Sequence, residues 1–348
     1  MATIPARIRV LIVEDSPTVR ALLTHIVAGD PRLAVAGAVA SAEEALAALP
    51  VLRPDVISMD IRLPGIDGLE ATRRIMAEQP TPIVVISASL DSGALGSTMD
   101  ALRSGALAVV EKPVGLGSGD YGRIAHTICT QLAIMSEVAV VRRRMRAPNG
   151  SLLPARPRVR PRVILCAAST GGPQALARLF GALPAELPLP VLLVQHMGAA
   201  FMPGFAQWLN SVVPQRVEIA RAGELPRAGC IHVAPGDAHL RLVAGGAMAI
   251  DGSPPIGGQR PAADMLIGSA ARALEGAAVA VVLTGMGEDG GNGVQALVAA
   301  GGSALAEHES TAVVYGMPQA AVRAGALALP LDLIAPQLRR TLAREAWA

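Results

Sequence analysis

The sequence predicts a doubly wound α/β domain and a second α/β parallel-sheet domain joined by an arginine- and proline-rich segment, and three observations carry that prediction. A length of 348 residues exceeds the size at which one hydrophobic core usually stops growing, so two cores are expected. Short apolar strand-like runs alternate with helix-period segments on both sides of the basic segment, the pattern of parallel sheets covered by helices. Finally, 51% of the residues are apolar while only 2% are aromatic. The cores must therefore be built from Ala, Val, Leu and Ile, as buried parallel strands are.

In chain order, Ile8 to Val13, Leu33 to Val39, Asp55 to Asp60, Ile83 to Ser87 and Leu107 to Val110 read as strands. Ser16 before Pro17 marks one helix start, and Ser41 with Glu44 three residues on marks another as a capping box. Residues 131 to 162 carry Arg142, Arg143, Arg144, Arg146, Arg156, Arg158, Arg160 and Arg162 among four prolines, with a net charge of +7. Residues 1 to 130 carry −3 and residues 163 to 348 carry −2. Like charges and prolines oppose packing, so the domains are expected at 1–130 and 162–348, with a solvated linker over 131–161 whose start continues a helix. No helix-turn-helix or stacking platform accompanies the basic run, so no nucleic-acid partner is expected. Beyond it, Val163 to Ala167, Val191 to Gln195 and Val279 to Leu283 read as strands of a second sheet, with a hairpin-like insertion over His239 to Asp251.

The start of the chain lacks the apolar core of a signal peptide, and the longest uncharged apolar run, Val191 to Leu209, is broken by His196 and Pro203. A soluble, cytoplasmic protein without membrane insertion is expected. Cys129, Cys166 and Cys230 are too few and too dispersed for a zinc site or a disulfide framework, and are expected to pack as small apolar residues.

In an open parallel sheet, ligands collect beyond the carboxyl ends of the strands. In the first domain Glu14 and Asp15 close the first strand, Asp60 the third and Ser87 the fourth, while Lys112 follows the fifth. Three carboxylates from neighbouring strands form a hard-oxygen site for Mg²⁺, which neutralises phosphoryl oxygens while a carboxylate attacks phosphorus. Asp60 is the natural nucleophile. Lys112 is the sole lysine beside 29 arginines, and a compact ammonium suits a point-charge contact with a phosphoryl group. The Lys112–Pro113 bond is a candidate for the cis form.

These residues resemble the response-regulator receiver family over roughly residues 6 to 125, through V-E-D-S-P, M-D-I-R-L-P-G-I-D-G, I-S-A-S and E-K-P. The resemblance implies a flavodoxin-like fold, an acidic pair Glu14 and Asp15, phospho-acceptor Asp60, a phosphoryl-sensing hydroxyl at Ser87 and Lys112 as phosphate partner. Val109 stands where many receivers carry a switching aromatic.

In the second domain, Ser169 follows a strand and precedes Thr170, Gly171, Gly172 and Pro173. A strand turning sharply into a helix exposes the side chain at its corner, glycines permit the tight backbone, and proline suits the first helical turn. A helix cap and a phosphate cradle fit the same segment. His196 ends the next apolar strand, and Asp289 follows the strand Val279 to Leu283. Together they offer a hydroxyl nucleophile, an imidazole base and an orienting carboxylate. Gly285, Met286 and Gly287 form a loop whose N–H groups can receive an oxyanion.

Residues 162 to about 345 resemble the catalytic domain of the chemotaxis protein-glutamate methylesterases, the CheB family. The carrying motifs are A-S-T-G-G-P, V-Q-H-M, V-A-P-G-D-A-H, L-T-G-M-G-E-D-G and V-V-Y-G-M-P. This implies an α/β parallel-sheet serine hydrolase with nucleophile Ser169, general base His196, orienting acid Asp289 and the Met286 N–H in the oxyanion hole. Thr170 and His239 match motif positions on the possible substrate side. Also implied are methyl-accepting chemoreceptors as protein substrate, release of methanol, deamidation of receptor glutamines, and a histidine kinase as phosphodonor. Mg²⁺ belongs to the receiver, and no cofactor to the esterase domain. The family's receiver covers its cleft until phosphorylated. Gln259 to Asp264 reads Q-R-P-A-A-D where the family more usually has H-R-P-S-V-D. Two other readings of the second domain remain: a phosphorylation-dependent adaptor that binds without catalysis, and a dinucleotide-binding oxidoreductase, which would lack G-x-G-x-x-G.

Overall fold

The computed structural model describes residues 7–87, 106, 108–113, 121–136 and 159–343. Most of the predicted linker, including Arg142 to Arg158, lies outside these residues, as do Ala88, Ser89 and Leu107 of the predicted receiver. The chain divides into two compact units, Met1–Ala147 and Pro148–Ala348.

The first unit holds a five-stranded sheet of β1 (Ile8–Val13), β2 (Leu33–Val39), β3 (Val56–Met59), β4 (Ile83–Ser87) and β5 (Ala108–Glu111). Its order is β2-β1-β3-β4-β5, with every pairing parallel. Helices α1 (Pro17–Gly29), α2 (Ala42–Leu52), α3 (Gly68–Glu78) and α4 (Tyr121–Ser136) accompany it. The predicted caps form: the Ser16 hydroxyl accepts from the Val19 N–H and the Ser41 hydroxyl from the Glu44 N–H at 3.2 Å. The reciprocal half of the Ser41 box is displaced by one residue, because Glu44 accepts from Ala40 N–H at 2.9 Å. Lys112–Pro113 is not cis; among the described residues the cis bond is Arg260–Pro261. Val109 packs partly buried against the core of this sheet.

In the second unit, seven parallel strands run in the order β14-β13-β12-β6-β7-β9-β8. Three were legible as strands: β6 (Val163–Ala168), β7 (Val191–Gln195) and β12 (Ala278–Val282). Four were not: β8 (Arg216–Ile219), β9 (Cys230–Val233), β13 (Ser303–Glu307) and β14 (Leu327–Leu329). They are short, three carry charged residues or a histidine, and β14 forms an edge, so none has the continuous apolar run of a doubly covered strand. The predicted insertion is an antiparallel hairpin of β10 (His239–Leu242) and β11 (Met248–Asp251). Helices α5 (Gly172–Gly181), α6 (Met202–Val212), α7 (Ala263–Ala273), α8 (Gly291–Ala299), α9 (Gly316–Arg323) and α10 (Leu331–Leu342) complete it.

Both sheets have a topological switch point, where the chain leaves one strand in opposite directions. In the first it lies between β1 and β3, in the second between β6 and β12. Loops diverge there and open a crevice at the strands' carboxyl ends. No helix among the described residues is long and apolar enough to cross a membrane.

Candidate active site and phosphorylation site

Register builds the acidic site of the first unit. Val13 pairs with Met59, so Glu14 and Asp60 follow adjacent strands side by side, and the Asp60 N–H donates to Val13 O at 2.9 Å. Ser87 pairs with Glu111, and its carbonyl accepts from the Lys112 N–H at 3.0 Å, which sets Lys112 beside the same rim. The Lys112 ammonium lies 2.8 Å from Asp60 Oδ2 and 2.8 Å from Glu14 Oε2. Burial opposes that charge, yet the bonds and charges of Asp60 and Glu14 hold the ammonium above its ordinary value. Burial pushes Glu14 up, with the Asp60 charge adding to it and Lys112 opposing. Carboxylate oxygens of Glu14, Asp15 and Asp60 all lie within 4.8 Å of one another. Three carboxylates face one ammonium, an imbalance that a hard divalent cation corrects, so the residues fit Mg²⁺. Ser87 is buried at the adjoining strand end.

In the second unit the nucleophile candidate stands at a strand-to-helix corner. Ser169 follows β6 directly, and α5 begins three residues later behind Gly171, whose φ is +75°. A Cβ on Gly171 would meet Val313 Cβ at 2.7 Å, so both backbone and space require glycine. The helix cap is Gly171 with no side-chain bond, so Ser169 does not act as the cap. Its N–H donates to Thr284 O at 3.0 Å, across the switch point. Gly285 lies so close that a Cβ there would meet Ser169 Cβ at 2.8 Å.

His196 follows β7, and its N–H donates to Ala168 O at 3.0 Å. Its Nε2 is 2.8 Å from Asp289 Oδ2, with the two side chains 5% and 7% exposed. Burial works against ionisation of Asp289, but the hydrogen bond and charge of His196 and the N–H groups of Asp264 and Ala263 outweigh it, holding the carboxyl below its ordinary value. An ionised carboxylate only accepts, so Nε2 carries a proton, and in the neutral imidazole the lone pair is on Nδ1. Nδ1 is buried without a hydrogen-bond partner. This is the reverse of the serine-protease arrangement, in which the carboxylate holds Nδ1. Met286 is 40% exposed, and its N–H is paired with no acceptor among the described residues. Thr170 is buried, its carbonyl accepting from the Thr284 hydroxyl at 2.8 Å.

His239, which the resemblance sets on the possible substrate side, lies in the interior of its unit. It is fully buried: Nδ1 accepts from the Ala262 N–H at 3.1 Å, and Nε2 donates to Pro254 O at 3.1 Å. With both ring nitrogens engaged, His239 braces the segment leading into α7. In the sequence Gln195 reads only as the last residue of an apolar run. Its amide nitrogen donates to Ser169 O at 2.9 Å and to His196 O at 3.0 Å, tying the two strand-end corners together. The available signal was a polar residue inside an otherwise fully buried strand.

Glu218, Cys230 and His232 also cluster with ligand atoms within 4.8 Å. His232 Nε2 accepts from the Arg227 N–H at 3.0 Å, so Nδ1 must bear the proton; it lies 3.2 Å from Glu218 Oε1 without a hydrogen bond. A metal on Nδ1 would require an imidazolate, and the cluster reads as an internal polar brace.

The fold and site thus define a class: an α/β response regulator whose output unit carries a hydroxyl, an imidazole and a carboxylate at one sheet's switch point. The response regulator receiver domain pattern matches residues 10–118, and the CheB methylesterase pattern matches residues 164–338. This chain belongs to the CheB methylesterase family. It is 49% identical over 342 residues to protein-glutamate methylesterase/protein-glutamine glutaminase 2 of Paramagnetospirillum magneticum, covering 96% of this chain and 97% of that protein. It is 45% identical to protein-glutamate methylesterase/protein-glutamine glutaminase 4 of Myxococcus xanthus, covering 91% of each. Among solved structures, the Thermotoga maritima CheB methylesterase catalytic domain is 36% identical, with a TM-score of 0.50 over 52% of this chain and 99% of that one.

Proposed function

We propose that this chain is a phosphorylation-activated protein-glutamate methylesterase that hydrolyses glutamate methyl esters on chemoreceptors and deamidates receptor glutamines. The observation that carries the chemistry is the buried, unpartnered Nδ1 of His196, whose other nitrogen is held by Asp289. Ser169 Oγ attacks the ester carbonyl carbon as its proton passes to His196 Nδ1. The resulting oxyanion is received by the Met286 N–H. Collapse expels the methoxy group, which takes the proton from Nδ1 and leaves as methanol. A water then gives a proton to Nδ1 and attacks the acyl-enzyme; collapse returns that proton to Ser169 Oγ and frees the glutamate, whose carboxyl loses its remaining proton to solvent. With a glutamine amide, ammonia leaves in place of methanol. Thr170 shapes the corner behind Ser169.

A histidine kinase is the phosphodonor, and Asp60 the acceptor. Glu14, Asp15 and Asp60 would hold Mg²⁺, which supplies charge neutralisation for the phosphoryl group. Lys112 pairs with that group and Ser87 senses it. The Arg/Pro-rich segment over 131–161 joins the receiver, 1–130, to the catalytic domain, 162–348, and the protein works in the cytoplasm.

Methanol release from methylated receptor tests this reading. Wild type should release methanol, and Ser169→Ala should lower kcat by about 10³-fold or more. Undiminished release from Ser169→Ala, or none from wild type, would refute it.

A further inference from the structure

The segment Gln259 to Asp264, where this chain departs from the family's usual wording, ends at the first turn of α7. Helix α7 opens at Ala262 with no cap of its own, and α8 opens at Gly290, likewise uncapped by its own side chain. Each helix instead takes its cap from an acid on the other. Asp289, just before α8, accepts from the Ala263 N–H at 2.7 Å and the Asp264 N–H at 2.9 Å. Asp264, in the first turn of α7, accepts through Oδ1 from the Gly290 N–H at 3.0 Å and the Gly293 N–H at 2.7 Å. Its Oδ2 accepts from the Asn292 side-chain amide at 3.0 Å. The orphan N–H groups of two helices are thus satisfied crosswise.

One consequence is a fixed approach of the two helices. At Gly293 a Cβ would lie 2.8 Å from Ile267 Cβ and 3.2 Å from Asp264 Cα. Another falls on the chemistry. Asp289 Oδ2 is shared between the Ala263 N–H and His196 Nε2, so the carboxylate that orients the imidazole also belongs to the clasp. Asp264 grips Gly290, the residue bonded to Asp289, and so limits where that carboxylate can move.

We infer that Asp264 is the positioning residue for Asp289, holding the carboxylate against His196 by reciprocal capping of α7 and α8. The inference rests on the triad reading above. It does not require the Asp264 charge: asparagine at 264 can accept the same two N–H bonds through Oδ1, and its amide can face an Asn292 rotated to present oxygen. Alanine removes all three contacts, and glutamate moves the carboxylate one methylene too far.

The test compares full-length wild type, Asp264→Ala, Asp264→Glu and Asp264→Asn in methanol release from methylated receptor, at a temperature where melting curves show each variant folded. Displacing a catalytic group by about 1 Å costs ~10²-fold, so Asp264→Ala and Asp264→Glu should lose about 10- to 100-fold in kcat. KM should stay within about twofold, since Asp264 acts on the orientation of the imidazole rather than on binding. Asp264→Asn should stay within about fivefold of wild type, because the cap survives. Should Asp264→Ala fail to fold, Asp264→Glu carries the comparison. The inference is overturned if folded Asp264→Ala or Asp264→Glu keeps wild-type kcat, if the loss falls on KM alone, or if Asp264→Asn is as impaired as alanine. A wild type that releases no methanol refutes the esterase reading itself. An active wild type silenced by Ser169→Ala but indifferent to Asp264 refutes only the clasp.

Discussion

At the scale of single residues, the site is held by polar groups placed where an apolar side chain would ordinarily sit. Glu307 ends β13 at 1% exposure and accepts from the Thr284 N–H at 2.9 Å. Thr284 in turn accepts the Ser169 N–H and precedes the Gly285–Met286 turn. Burial pushes the Glu307 carboxyl above its ordinary 4.5, against the lowering effect of the Thr284 N–H and the Thr311 hydroxyl. The folded chain therefore binds this proton more tightly than the unfolded chain does. Its stabilising contribution is complete below 4.5 and is lost as pH rises through the raised folded value. Thermal melts of wild type and Glu307→Gln across that window should differ in slope, with the variant's melting temperature declining less as pH rises. Parallel curves would show that Glu307 does not titrate with folding.

Among elements, the strand-to-helix corners decide the geometry, and glycines mark where they touch. Gly285 is one instance: a Cβ there would lie 2.4 Å from Met317 Sδ and 2.8 Å from Ser169 Cβ. The methionine end can swing aside, but the Ser169 Cβ is anchored to the backbone. Gly285→Ala should displace Ser169, the proposed nucleophile, and lower kcat at least about tenfold, while far-UV circular dichroism stays that of wild type. Full activity in a folded Gly285→Ala protein would mean that the corner has slack. Gly172 has a related role, since a Cβ there would stand 2.2 Å from Gln195 Oε1. The clamp that joins Ser169 and His196 exists because this helix starts with a glycine.

For the whole molecule, two sheets of one grammar serve different chemistry at equivalent places, the switch points β1/β3 and β6/β12. Under the proposed function, regulation is an electrostatic event in the first, where a phosphoryl group on Asp60 would meet Lys112. Asp60→Asn should abolish stimulation of methanol release by a small phosphodonor with Mg²⁺ and leave unstimulated release intact. Stimulation surviving in that variant would place the acceptor elsewhere.

Much of this was readable from the chain alone. Apolar runs leading to Glu14, Asp60, Ser169 and His196, and the turn after Leu283 that carries Asp289, located the parallel strands and the polar groups beyond their carboxyl ends, because strand period and turn chemistry are local properties. The order of strands, the nitrogen by which His196 is held, the burial of His239 and the exchange of caps between Asp264 and Asp289 were settled only in three dimensions. Each depends on which backbone donors are left over when elements distant in sequence come together, and no local pattern records that.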